Sequence, residues 1–188
     1  ARSRLQLIVA GGVGLVAVSP ILRALLGTGA AGAASTSEDL RILQLVLQLE
    51  YTQVALYERA LREASLTGEL RDFAQTALGH ERQHLAAVKQ ALGSKAGPKP
   101  RFEFGSKTKS ADAFRRTAIE LEDIAVAGYN GQAANLTKPT LAVAAEIVSV
   151  EARHAAWVRA IAGEIAASGH AAALTGGAAA REEVVHVE

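Results

Sequence analysis

Two Glu-x-x-His pairs are the residues of this chain best suited to chemistry. They are Glu81 with His84 and Glu151 with His154. On an α-helix, residues at positions i and i+3 lie on the same face, so each pair can direct a carboxylate oxygen and an imidazole nitrogen at one metal ion. The spacing therefore predicts two groups of metal ligands carried on two helices.

Each pair is preceded, at nearly the same distance, by a glutamate in an apolar helical run. These glutamates are Glu50 and Glu122. The surrounding residues match as well, since the segment 49–57 resembles the segment 121–129 and both end in a tyrosine. The chain therefore carries one helical hairpin twice. Glu, Glu-x-x-His, Glu, Glu-x-x-His is the ligand order of a di-metal carboxylate four-helix bundle.

Four glutamates on apolar helix faces need compensation for their charge. A buried ionised group without a partner costs several kcal/mol. Two divalent cations would balance four carboxylates, and two neutral imidazoles would add one nitrogen to each. A lone Glu-x-x-His pair is usually an exposed polar pair, but the repetition of both spacings favours a metal site. On the third helix, Glu120 and Asp123 are alternative carboxylates, and the repeat favours Glu122.

Three further residues lie near these ligands in the sequence. Tyr57 and Tyr129 follow Glu50 and Glu122 by two helical turns on the same face, so their hydroxyls could bind a ligand carboxylate across the bundle. Packing in the apolar core is the alternative role for these tyrosines. His80 is turned about 100° away from the ligand face, so we expect it beside a ligand or at the surface.

The composition excludes several classes of site and partner. The chain has 188 residues, enough for about one domain, and no cysteine. Thiolate metal sites and disulfides are therefore excluded, and any metal must be held by Glu, Asp and His, which suits iron, manganese or zinc. A formal net charge of +1 provides no basic surface for nucleic acid, so we expect no nucleic-acid partner.

The N-terminal residues 1–34 have the layout of an export signal. Arg2 and Arg4 precede an apolar stretch over residues 5–26, which is followed by small residues. We expect a retained anchor helix whose basic end stays cytoplasmic, which places the remaining chain on the extracytoplasmic, periplasmic side. The alternative is a signal that is cleaved, leaving a secreted or periplasmic protein. A retained segment could also contact a membrane protein complex.

Helical periodicity and capping residues predict four helices within a domain of residues 35–168. The predicted helices are helix 1 from Leu40 to Leu61, helix 2 from the turn at Thr67 and Gly68 to about Leu92, helix 3 from Ser110 to about Asn135, and helix 4 from Thr137 to about Ala167. We expect Thr137 to cap helix 4. Residues 169–188 have the composition of a low-complexity tail that packs little.

A long connection separates helices 2 and 3. Residues 93–109 are rich in Gly, Pro, Lys and Ser, and their large apolar residues are Phe102 and Phe104. We expect the two phenylalanines to hold this connection against the outside of the bundle. A flexible linker between two domains is the alternative, but neither hairpin alone has a complete core.

From about Glu38 to Ala167 the chain resembles the ferritin-like superfamily, and it is most similar to the exported ferritin-like group that includes desiccation-related proteins. The resemblance implies an all-α, up-down-down-up four-helix bundle with a long crossover between helices 2 and 3. It also implies a di-iron centre, with manganese or a mixed metal pair as the alternative. In that centre Glu81 and Glu151 would bridge the metals. The remaining implied ligands are Glu50 and His84 on one metal, and Glu122 and His154 on the other.

Two functions follow from this resemblance. The first is an oxidoreductase that acts on O2 or peroxide, as a ferroxidase or as a peroxidase or catalase, with Tyr57 and Tyr129 next to its centre. The six ligands are similar to those of bacterioferritin, rubrerythrin and manganese catalase, without the rubredoxin-like cysteines of rubrerythrin. The second function, which a retained apolar N-terminus favours, is that of a non-catalytic accessory subunit of a larger membrane protein complex. A homo-oligomer is compatible with either function. The two functions differ in whether the metal turns over.

Overall fold

The computed structural model describes residues 34–163, and four α-helices form its framework. They are α1 (Thr36–Glu63), α2 (Gly68–Leu92), α3 (Ala111–Gln132) and α4 (Lys138–Ile161). Within this range there is no β-strand, so the predicted all-α fold is confirmed for this part of the chain. The predicted anchor helix over residues 5–26 and the predicted C-terminal tail lie outside the described residues.

The helices begin and end where local side chains satisfy the backbone. Ser35 Oγ accepts a hydrogen bond from the Glu38 amide at 3.2 Å, and Ser110 Oγ accepts one from the Ala113 amide at the same distance. Each serine thereby caps the start of its helix, α1 or α3. Gly93 ends α2 with a φ of 53°, a left-handed conformation that glycine adopts without steric cost.

Two helices end earlier than the periodicity predicts. The α-helical part of α3 ends at Gln132, and residues 133–135 form a 3-10 turn. Helix α4 ends at Ile161 instead of continuing to about Ala167. Gly163 has a φ of 73°, and this left-handed backbone interrupts the helix before the alanine-rich sequence that follows it.

The start of α4 is capped by a residue of another helix. Thr137 occupies the N-cap position, but its side chain makes no capping hydrogen bond to its own helix. Its amide instead donates to Asp39 Oδ1 at 2.9 Å, and its hydroxyl and that of Thr140 donate to Asp39 Oδ2. Thr137 therefore occupies the predicted N-cap position, but the capping hydrogen bond expected of its hydroxyl is absent, because that hydroxyl donates to the buried Asp39 carboxylate of α1.

Contacts between side chains define the direction of α3 relative to α1. Tyr57 in the second half of α1 donates a hydrogen bond to Glu122 in the middle of α3. Tyr129, one turn from the end of α3, donates to Glu50, which lies earlier in α1. Later residues of one helix therefore meet earlier residues of the other, and the two helices are antiparallel.

Helices α2 and α4 are antiparallel by the same reasoning. His80 lies 2.9 Å from His154, whereas the later His84 lies 2.8 Å from the earlier Glu151. Short turns connect α1 to α2 and α3 to α4, so these neighbours are antiparallel as well. The directions are therefore up, down, down and up, as expected.

The connection between α2 and α3 packs against the bundle. Phe104 is 7% exposed and belongs to the core, and Phe102 is half-buried against it. Their rings stack with centroids 6.0 Å apart. The connection is therefore a crossover held against the bundle by the two phenylalanines, as predicted, and it allows α3 to start at the far end of the bundle.

Aromatic rings form one wall of the bundle interior. Tyr57, Phe73 and Phe114 are fully buried, and the Tyr57 ring contacts the other two edge-on at 5.8 and 5.7 Å. Such pairs contribute about 0.5–1.5 kcal/mol each beyond the burial of their area. They also hold the Tyr57 hydroxyl in place.

Among residues 34–163, no helix combines the length and the apolar character that crossing a bilayer requires.

Candidate metal centre

The six predicted ligand residues lie together inside the bundle. They are Glu50 of α1, Glu81 and His84 of α2, Glu122 of α3, and Glu151 and His154 of α4. The four glutamates are 0% exposed, and the two histidines are 7% and 2% exposed. The ligand atoms form two groups, each with all its atoms within 4.8 Å of one another, and both groups contain Glu81 and Glu151.

The two shared carboxylates each present one oxygen to each imidazole. Glu81 Oε2 lies 3.2 Å from His84 Nδ1, and Glu81 Oε1 lies 3.0 Å from His154 Nδ1. Glu151 Oε1 lies 2.8 Å from His84 Nδ1, and Glu151 Oε2 lies 3.9 Å from His154 Nδ1. A carboxylate that divides its oxygens in this way can bridge two cations.

The other two glutamates each serve one imidazole. Glu50 Oε2 lies 3.8 Å from His84 Nδ1, and Glu122 Oε2 lies 3.5 Å from His154 Nδ1. We call Glu50 with His84 the first half-site and Glu122 with His154 the second half-site. Each half-site thus combines one carboxylate and one imidazole of its own with the two shared carboxylates.

The alternative carboxylates of α3 lie elsewhere. Glu120 is exposed, whereas Glu122 is 0% exposed. Asp123 accepts hydrogen bonds from Arg159, including one from Nε at 3.3 Å. The structure therefore brings Glu122 into the centre and leaves the other two acidic residues on the outside of the bundle.

Tyr57 and Tyr129 orient the two unshared glutamates. The Tyr129 hydroxyl donates to Glu50 Oε1 at 2.6 Å, and the Tyr57 hydroxyl donates to Glu122 Oε1. Both tyrosines are buried. Burial and the adjacent carboxylates raise the pKa of both hydroxyls, so both remain protonated donors. Each glutamate therefore keeps its Oε2 atom directed at an imidazole.

Several buried ligand atoms have no hydrogen bond within the described residues. They are Glu50 Oε2, Glu81 Oε1, Glu122 Oε2, Glu151 Oε1 and His154 Nδ1. Glu81 Oε1, for example, lies 3.0 Å from His154 Nδ1, but the angle between the two groups does not suit a hydrogen bond. A buried polar atom without a partner costs about 1–3 kcal/mol. Converging oxygen and nitrogen atoms of this kind fit a pair of bound cations, which would satisfy them.

The electrostatics of the cluster reflect its burial. Burial and the charges of neighbouring carboxylates raise the pKa of Glu50 well above its ordinary value and raise the pKa of Glu122 to about 7. Burial alone would lower the pKa of the histidines, but the adjacent carboxylates outweigh it. They raise the pKa of His84 to about 9 and that of His154 to about 12. Without metal, protons therefore provide the positive charge that the carboxylates require.

Gln53 is a residue of the centre that the sequence reasoning missed. It is 0% exposed, and its Nε2 atom donates to Glu151 Oε2 at 3.1 Å and to Glu122 Oε1 at 3.5 Å. A signal was available, because Gln53 lies one turn after Glu50 and one turn before Tyr57, on the same helix face.

His80 lies beside a ligand. Its Nδ1 atom is 2.9 Å from His154 Nε2, and the two rings are nearly parallel with centroids 5.2 Å apart. The rotation of His80 away from the ligand face of α2 directs it at α4 instead of at the bundle axis. The first of the two expected positions is therefore the one that the structure shows.

Fold and site together define a class: a four-helix bundle, built from two similar hairpins, that encloses a carboxylate and histidine cluster. A family model described as the ferritin-like domain matches residues 38–164. The chain belongs to this ferritin-like family, which confirms the resemblance seen in the sequence. Neither a curated protein nor a solved structure gave a significant match. Similarity to the exported, desiccation-related group stays a prediction.

Proposed function

We propose that this protein binds two metal ions, most favourably iron, in the buried centre and uses them to carry out oxidation by O2 or peroxide. The observation that carries the proposal is the arrangement of Glu81 and Glu151. Each directs one oxygen at His84 and the other at His154. Two carboxylates shared in this way would hold two cations.

The charge and number of ligands support a redox-active pair. Four buried carboxylates would balance two divalent cations, and six side chains would leave room for a small oxidant to bind the metal. Iron ions bound there would exchange electrons with O2 or peroxide. The donor set of oxygen and nitrogen without thiolate suits iron and manganese. We favour iron because the chain belongs to the ferritin-like family.

The chain itself contributes positioning and exclusion of water. Tyr57 and Tyr129 hold the unshared glutamates so that one oxygen of each faces an imidazole. The fully buried Phe73 closes one side of the centre, with its ring 6.3 Å from that of His154. The resulting low-dielectric site strengthens electrostatic interactions between the ligands and the cations.

The experiment that tests this proposal is metal analysis of the full chain, purified without added metal, followed by an optical spectrum under O2 and under peroxide. We expect about two iron ions per chain and a spectrum that changes with oxidant. Glu122→Ala should lose about one metal ion per chain, whereas Glu120→Ala, at an exposed position of the same helix, should retain both. A chain without stoichiometric metal, or with metal that no oxidant affects, would instead favour an accessory or scaffold role.

The proposal extends to location on the basis of sequence alone. Residues 5–26 have the composition of an export signal or anchor, and we propose that the bundle is tethered to the membrane on its extracytoplasmic side. Fractionation of cells that express the full chain, followed by protease treatment of intact and lysed cells, tests this. Bundle that stays in the membrane fraction and is digested without lysis supports tethering. Soluble extracytoplasmic bundle indicates a cleaved signal, and cytoplasmic bundle overturns export.

A further inference from the structure

The two half-sites have the same ligands but different surroundings. When the two repeats are aligned in sequence, Gln53 of α1 corresponds to Ala125 of α3, and His80 of α2 corresponds to Val150 of α4. In each case one member of the pair can form hydrogen bonds and the other has an apolar side chain. Both polar members contact the same half of the centre, as the following distances show.

Gln53 contacts the second half-site. Its Nε2 atom donates to Glu122 Oε1, an atom of that half-site, at 3.5 Å. It also donates at 3.1 Å to Glu151 Oε2, the oxygen that this shared carboxylate directs at His154. Ala125 is equally buried at the equivalent position of α3, but it has no group that could do the same for Glu50.

His80 also contacts the second half-site. The Nδ1 atom of His154 faces the carboxylates, which leaves its Nε2 atom to share a hydrogen bond with His80 Nδ1 at 2.9 Å. The hydrogen bond of the His84 imidazole runs from Nδ1 to Glu81, and Nε2 of His84 has no such partner among residues 34–163. The His154 imidazole thus has a contact at each nitrogen, whereas the His84 imidazole is held through Nδ1.

We propose that the half-sites are unequal, and that the second half-site binds its metal ion more tightly because Gln53 and His80 orient its ligands. This inference rests on the proposed function, since it assumes that both half-sites bind metal. The physical reason is preorganisation. A hydrogen bond between Nε2 of His154 and Nδ1 of His80 fixes the ring and keeps Nδ1 of His154 directed at the carboxylates. Comparable partners of metal ligands change affinity by about 10–100-fold.

A titration of the metal-free full chain with Co(II), followed by calorimetry and by visible absorbance, tests the inequality. We expect two binding steps whose dissociation constants differ about 10-fold or more. Two indistinguishable steps would overturn the inference while leaving the di-metal centre in place. If no Co(II) binds, the proposed function itself fails, so the two failures are distinguishable.

Ligand variants assign each step to a half-site. Glu122→Ala should remove the tighter step and leave the weaker one, whereas Glu50→Ala should do the reverse. These residues occupy equivalent positions in the repeat, so each variant is the matched control for the other. The opposite assignment would overturn the inference.

Variants of the two positioning residues then test the cause. Gln53→Ala and His80→Val install the residues that the other repeat carries, and each should weaken the tighter step about 10-fold or more without moving the weaker step. His80→Asn keeps an acceptor near the position of Nδ1 and should restore tight binding. Gln83→Ala, at an exposed position of the same helix, is the control. Equal weakening of both steps would indicate a structural role and overturn the inference.

Discussion

The Tyr129 hydroxyl on α3 donates a hydrogen bond to Oε1 of Glu50 on α1, and the two oxygens are 2.6 Å apart. Tyr57 on α1 makes the corresponding contact with Glu122 on α3. The two contacts are the same contact with the two repeats exchanged, as expected for two hairpins packed about a pseudo-two-fold axis. Each tyrosine occupies one oxygen of a glutamate and leaves the other directed at an imidazole.

Removal of the Tyr129 hydroxyl should weaken the first half-site. In Tyr129→Phe, Glu50 loses its buried donor, and we expect Co(II) binding to that half-site to weaken about 10-fold. The free energy of unfolding of the metal-free protein should fall by about 1–3 kcal/mol. Calorimetric titration and urea unfolding measure the two effects. The Tyr51 hydroxyl donates to the Gly97 carbonyl on the crossover and does not contact the ligands, so Tyr51→Phe is the control for metal binding. Unchanged Co(II) affinity in Tyr129→Phe would contradict the positioning role.

Loss of a shared ligand should be more damaging than loss of an unshared one. Glu81 contacts both imidazoles, so Glu81→Ala should abolish binding of both metal ions. His154→Ala should abolish binding at the second half-site. Helix content measured by circular dichroism should remain largely intact, because the apolar core does not depend on these groups. A full load of two metal ions in either variant would show that the ligand assignment is wrong.

Metal binding should release protons. The pKa of His84 is about 9 and that of His154 about 12, so both imidazoles are protonated at neutral pH in the metal-free protein. Coordination requires the deprotonated nitrogen, so binding should release at least about two protons per chain. Metal affinity should therefore rise with pH, and the rise should become less steep above about 9, where His84 loses its proton without metal. Calorimetry in two buffers of different ionisation enthalpy counts the protons, and identical heats would contradict the prediction.

Asp39 should make folding stability depend on pH. Burial acts to raise the pKa of Asp39, but hydrogen bonds from Thr137 and Thr140 outweigh it, so the pKa lies below its ordinary value of 3.8. The charged form is therefore favoured by folding. This contribution is present above pH 3.8 and is lost as the pH falls through the lowered pKa.

Variants of Asp39 measure that contribution. Asp39→Ala leaves the start of α4 without its acceptor, and we expect a loss of about 1.5–3 kcal/mol in the free energy of unfolding at neutral pH. The difference from the unmodified protein should shrink in acid. Asp112→Ala, at an exposed acidic residue in the first turn of α3, should change stability by much less. Chemical unfolding at several pH values provides the test, and a difference that does not vary with pH would contradict it.

The repeat made the centre accessible to sequence reasoning. One Glu-x-x-His pair is weak information, but two pairs with equally placed glutamates predicted six residues, and the structure brings all six together. The start of α3 was also predictable, because capping by Ser110 depends on residues close in sequence. The end of α4 was not predictable, because the alanine-rich sequence gives no sign of the left-handed φ of 73° at Gly163.

The sequence by itself therefore determined the helices, the pairing of the hairpins and the polar face of each helix, because these depend on spacing along one chain segment. Only the tertiary structure showed that His80 reaches His154, that Gln53 bonds Glu151, and that Asp39 caps α4. Such contacts join different helices, and they depend on the rotation and crossing of those helices. Spacing within one helix carries no information on either quantity, which is why two half-sites of equal sequence pattern have unequal surroundings.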